Sequence, residues 1–153
     1  MIAGIGIDIL SLTRFRTLLL KRDPYKVAKR ICTEAEFELF GRLSMTGNAT
    51  STSTSTSTPT NSSFEENAEG SQVLERQLRF LSCRWALKEA AYKSLSAHLH
   101  GISWKDLHIT HTKSGAPVLY PTQKDHRDRF DLIGSLSHDA GMVVGMVIAQ
   151  FKK

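Results

Sequence analysis

Apolar positions alternate with small or polar ones across residues 1–10, MIAGIGIDIL, with Ile5, Ile7 and Ile9 on one face and Gly4, Gly6 and Asp8 on the other. That period of two predicts a β-strand. From 11 to 22 the spacing becomes helical. Leu12, Phe15, Leu18 and Leu19 form the apolar stripe, Ser11 or Thr13 is the N-cap, and Asp23-Pro24 ends the helix. Thr33 and Glu36 stand at capping-box spacing before Phe37 and Phe40, so a second helix starts near 33. The longest helical pattern runs from Val73 to Leu95, with Leu74, Leu78, Leu81, Trp85 and Tyr92 on its stripe. Leu107, Ile109 and His111 then alternate with His108 and Thr110. Lys113-Ser114-Gly115 makes a turn, and 116–120 returns as the partner strand, with Pro117 suited to an edge or a strand start. A polar connection over 121–131 leads to a strand at Ile133–Ser137, a turn at His138–Gly141 and a buried strand at Met142–Ala149. The fold class is α+β, with antiparallel strands at both ends of the chain packed with helices.

One stretch breaks the pattern. Residues 43–64 carry no charge and include STSTSTST. Such a composition cannot bury a core. The 153 residues therefore read as one domain with a disordered Ser/Thr-rich insertion at about 43–72. A net charge of +5 points to an anionic partner: nucleic acid, an acidic protein or a phosphorylated small molecule. The two cysteines, Cys32 and Cys83, form no CxxC pair, which excludes a disulfide framework or a standard zinc site and fits a reducing compartment. No apolar run is long enough to span a membrane, and no signal or transit peptide precedes the first strand.

Two carboxylates then stand out. Asp8 lies among apolar neighbours with no partner in sequence, so it meets a cation, a metal or a helix N-terminus, or else caps a buried turn. Glu89 falls four residues after Trp85, on or beside the apolar stripe, with Lys93 one turn further on where an ion pair is easy. Arg84 and Lys88 form a separate basic edge of the same helix. Arg14, Arg16, Lys21 and Arg22 give the 11–22 helix a basic side with no acid among them, a docking surface for an acidic partner. Ser137 and His138 are neighbours in a strand and face opposite ways, so they are no nucleophile–base pair. GxSxG, HExxH and the Walker loop are absent.

GIGIDIL with Arg14, RICTEAEF, RWALKEAAYKSL, ISWKDLHI, the GAP of the hairpin turn and SLSHD before an apolar strand follow one another in this order. Together they resemble the phosphopantetheinyl transferases of the holo-[acyl-carrier-protein] synthase type. The resemblance covers nearly everything except residues 43–72. It implies transfer of the 4′-phosphopantetheine group of coenzyme A to a serine of an acyl carrier protein, Mg²⁺ dependence and release of adenosine 3′,5′-bisphosphate. It also implies the 4′-phosphopantetheinyl transferase-like fold and a homotrimer with coenzyme A between neighbouring subunits. By the same resemblance Asp8 and Glu89 are metal ligands, and Glu89 and Lys93 are catalytic. Arg84, Lys88, Lys93 and His138 surround the phosphates of coenzyme A, and Arg14 reads the carrier protein. Where the family usually has Gly-Thr-Gly after this helix, the chain has SAHLHG. The expected compartment is the cytoplasm, or the mitochondrial matrix if the source is eukaryotic. A basic nucleic-acid-binding module would also explain the charge, but not Asp8 and Glu89 on apolar faces. A non-catalytic carrier-protein binder would not need both carboxylates.

Overall fold

The computed structural model describes residues 1–44 and 62–153, with side chains from 70 onward in the second stretch. The expected disordered insertion falls largely outside these residues. Its last part does not, because residues 62–72 are helical.

The helices and strands of the described residues are, in order, β1 (Ile2–Ser11), α1 (Leu12–Lys21), α2 (Pro24–Ile31), α3 (Glu34–Arg42), α4 (Ser62–Leu95), β2 (Leu107–His111), β3 (Pro117–Pro121), α5 (Lys124–Arg129), β4 (Phe130–Asp139) and β5 (Met142–Phe151). The strands form one antiparallel sheet in the order β1-β5-β4-β3-β2. α4 lies across one face. α1, α2 and α3 close the end of the core around Phe15, Ile31, Phe40 and Leu81, and the sheet closes the other end around Leu87, Leu95, Ile109 and Val147. Leu136 packs against both clusters and joins them. None of the described helices is long and apolar enough to cross a membrane.

Local signals set several boundaries. Ser11 caps α1 by accepting from Arg14 N at 3.4 Å. The Thr33–Glu36 capping box makes both of its bonds and starts α3. α2 was not expected. Asp23-Pro24 ends α1 but also opens α2, with Asp23 accepting from Tyr25 N at 2.9 Å and Pro24 in the first turn, where its missing N–H costs nothing. α4 begins at Ser62 instead of near 73. The polar connection contains α5. β4 continues through His138 and Asp139, so the turn is only Ala140-Gly141, both with positive φ (46° and 74°) as a tight two-residue hairpin requires. β5 is half-buried and not fully buried: Val143 and Val147 face the core, whereas Met142 and Met146 are exposed.

The alternation in β1 is as expected, and the isoleucines face outward. Ile5, Ile7 and Ile9 are 59%, 51% and 60% exposed. The glycine face packs against α4 because only a bare backbone admits the helix so closely. A Cβ on Gly6 would stand 1.9 Å from the Ala90 carbonyl oxygen, and one on Gly4 would stand 2.1 Å from that of Ser94. Gly145 of β5 makes the same approach to Ala86. Gly6→Ala should therefore destabilise the chain by about 3 kcal/mol, the upper end for overpacking, since backbone meets backbone and no flexible tip can yield. Urea unfolding checks this, and an unchanged midpoint would show that α4 is free to shift.

Candidate active site

The glycine ladder fixes where the carboxylates meet. Gly4 faces Ser94 and Gly6 faces Ala90, one turn lower on α4, so Asp8 falls level with the turn that carries Glu89. Asp8 does meet a cation. Lys93 Nζ donates to Asp8 Oδ1 at 2.9 Å and to the Ile7 carbonyl at 3.0 Å. The easy pair between Lys93 and Glu89 is not among the ion pairs formed; Glu89 Oε2 instead accepts from Trp104 Nε1 at 3.0 Å. Asp8 and Lys93 are thus paired across β1 and α4, and Glu89 stands one helical turn from Lys93. Asp8 Oδ2 and Glu89 Oε1 accept no hydrogen bond among the described residues. Two such oxygens suit a hard divalent cation that takes its other ligands from phosphate and water. Glu89 and Trp104, with Arg30, Tyr92, Ile102 and Ser103, also line an open cleft of about 400 Å³.

Arg84 and His138 come together elsewhere. With His111, Cys83 and Gly115 they line a cavity of about 190 Å³ between α4 and the β2–β3 hairpin. The Arg84 guanidinium lies 3.4 Å from the centre of the Phe80 ring, and its Nε is 3.5 Å from Glu36 Oε1. Burial lowers its pKa from the usual arginine value, and Glu36 opposes that shift.

Lys88 does not match its expected place. It is fully buried, donating to Glu36 Oε2 at 2.5 Å and to the Ile31 carbonyl at 2.8 Å. An ammonium so enclosed has no path to a phosphate in this chain. Burial pulls its pKa down and Glu36 holds it up. Glu36 is the hub that sequence reasoning treated only as a capping residue. It also accepts from Thr33 N at 2.7 Å and Ile109 N at 3.0 Å, tying α3, α4 and β2 together. Cys32 lies beside it, and burial pushes that thiol up to about 11, too high for a nucleophile.

The basic side of α1 is only partly free of acids, because Arg16 pairs with Glu75 of α4 at 2.5 Å. Arg14 is exposed. Lys21 and Arg22 join Lys26 and Arg30 of α2 around a groove of about 500 Å³ floored by Leu18, Val27 and Trp85.

The sequence profile described as ACPS, 4′-phosphopantetheinyl transferase superfamily, matches residues 4–145. The chain belongs to that superfamily. It is an enzyme of the holo-[acyl-carrier-protein] synthase type. It is 30% identical over 138 residues to the holo-[acyl-carrier-protein] synthase of Shewanella sp. (strain MR-7), covering 90% of this chain and 84% of that one. It is also 30% identical over 150 residues to the synthase of Streptococcus sanguinis (strain SK36), covering 98% and 96%. The crystal structure of a Bacillus anthracis holo-(acyl-carrier-protein) synthase in complex with CoA (3′,5′-ADP) has the same fold, with a TM-score of 0.65 at 24% identity over 99% of each chain. Membership favours the transferase reading over the nucleic-acid-binding one. Both sequence relatives are bacterial and lend the mitochondrial expectation no support.

Proposed function

We propose that the chain transfers the 4′-phosphopantetheine group of coenzyme A to a serine of an acyl carrier protein, with Mg²⁺, and releases adenosine 3′,5′-bisphosphate. The observation that carries this is the Lys93–Asp8 pair one helical turn from Glu89, with an uncommitted oxygen on each carboxylate. In the reaction the serine oxygen forms a bond to the phosphorus next to pantetheine, the pyrophosphate bridge breaks, and the serine proton leaves. A Mg²⁺ held by Asp8 and Glu89 would neutralise the charge of the pyrophosphate. Lys93 supplies positive charge at the same place. Arg84 and His138 would hold phosphates of the nucleotide from the cavity they both line. Incubation with coenzyme A, Mg²⁺ and an apo carrier protein, followed by mass spectrometry of the carrier, tests the reading. A carrier of unchanged mass would overturn it.

The acidic carrier docks on α1 and α2, where Arg14 shares α1 with Lys21 and where Lys21, Arg22, Lys26 and Arg30 line a groove. Arg14→Glu should raise the carrier KM by about 5-fold, equivalent to ~1 kcal/mol for an exposed charge, and leave the KM for coenzyme A unchanged. The defect should shrink with added salt, because exposed charges are screened over ~10 Å at 0.1 M. Steady-state kinetics at two ionic strengths checks this, and equal effects on both substrates would point to a structural role.

The bare sheet face, with Ile5, Ile7, Ile9, Ile133 and Met146 exposed, supports assembly with further copies of the chain as a homotrimer. Light scattering that returned the mass of one chain would reject it.

A further inference from the structure

The short 3-10 turn Trp104–Asp106 is clamped by its own polar groups. Asp106 Oδ2 accepts from Ser103 N at 2.7 Å and Ser103 Oγ at 2.8 Å, Gln123 Nε2 donates to Oδ1 at 3.3 Å, and Thr122 N donates to the Asp106 carbonyl at 2.8 Å. Burial alone would raise the Asp106 carboxyl, but these bonds outweigh it and hold it below the usual carboxylate range. The clamp therefore stays ionised at neutral pH. It sets the Trp104 ring against Trp85, with centroids 4.5 Å apart, and the Arg30 guanidinium lies 5.9 Å from the Trp104 centroid. A ring held this way has little freedom, and its Nε1–H points at Glu89 Oε2.

We propose that Trp104 is a positioning residue for Glu89, occupying one carboxylate oxygen so that Oε1 alone is offered to a divalent cation. The inference rests on the proposed role of Glu89 as a metal ligand. An indole N–H can only donate, so this bond exists in one sense and needs Oε2 as an acceptor. A glutamate on a helix surface otherwise samples several rotamers, and ordering it on metal binding costs entropy. Trp104 meets that cost in advance and keeps the carboxylate from closing on the cation with both oxygens. A group that hydrogen-bonds a metal ligand from behind typically changes metal affinity by 10–100-fold.

Trp104→Phe keeps an aromatic ring beside Trp85 and removes the N–H donor. With Mn²⁺ as the probe, titrated calorimetrically into the full chain, its Kd should rise about 10-fold. The Mg²⁺ concentration for half-maximal transfer should rise in step, with the carrier KM unchanged. A second arm does not depend on that variant folding. The chain has two tryptophans, so Trp85→Phe leaves Trp104 as the only indole. Mg²⁺ should then shift its emission, and adding Glu89→Gln should remove the shift. Unchanged Mn²⁺ affinity in Trp104→Phe, or Trp104 emission that ignores Mg²⁺, would overturn the inference while loss of Mn²⁺ by Glu89→Gln left the metal reading standing. Equal Mn²⁺ affinity in wild type and Glu89→Gln would sink both.

Discussion

Asp8→Asn and Glu89→Gln should each abolish transfer while leaving the fold largely intact. Each substitution keeps the shape of the side chain and removes the charge that a hard cation requires. Metal stabilisation of a developing phosphate charge is worth several kcal/mol, and each 1.36 kcal/mol is tenfold in rate, so the loss should be roughly 10³-fold or more. Stability should hardly follow. Asp8 pairs with a Lys93 that is 45% exposed, and pairs of that kind contribute about 0–1 kcal/mol. Initial rates over a Mg²⁺ series, with thermal unfolding beside them, check both halves. Wild-type activity at limiting Mg²⁺ in either variant would remove that residue from the metal site.

Glu36→Ala should act the other way, on stability first. It leaves Lys88 as a fully buried ammonium with only the Ile31 carbonyl as partner, and it strips Thr33 N and Ile109 N of their acceptor. Breaking a buried pair from one side costs about 3–5 kcal/mol. For a domain of this size that is a fall of roughly 6–20 °C in Tm. Glu36→Leu combined with Lys88→Met should recover much of the loss, since no charge is then left unpaired. Differential scanning calorimetry of the single and double variants reads this directly. A Tm for Glu36→Ala within a degree or so of wild type would mean that water reaches Lys88.

The elements legible from sequence were those written in neighbouring residues. The alternation of β1, the Thr33–Glu36 box and the stripe of α4 each involve side chains a few positions apart, and each specified its element. What alternation could not say was which face of β1 is inside. The glycines leave one face of the backbone bare, and it is α4 that packs there. Lys88 misled for a related reason. On a helical wheel it belongs with Arg84 on a basic edge, and its counter-ion arrives from Glu36, 52 positions earlier. The Trp104–Glu89 bond is local enough, at 15 positions, but nothing in the spacing says that SAHLHG folds back to bring the indole to the carboxylate. Asp23-Pro24 marks a stop in the sequence and is also a start.

The register of β1 has a consequence for how the chain is made. β1 is an edge strand whose single strand neighbour is β5, with Ile2 opposite Gln150 and Asp8 opposite Gly145. During synthesis β1 must wait for β5 before its ladder can close. Closing so long a loop is slow compared with forming α1 or the β2–β3 hairpin. Through that interval the apolar edge of β1 stands unpaired, a template for another chain's strand. A chain arrested before residue 142 should therefore hold its helices while β1, with Asp8, lacks its ladder.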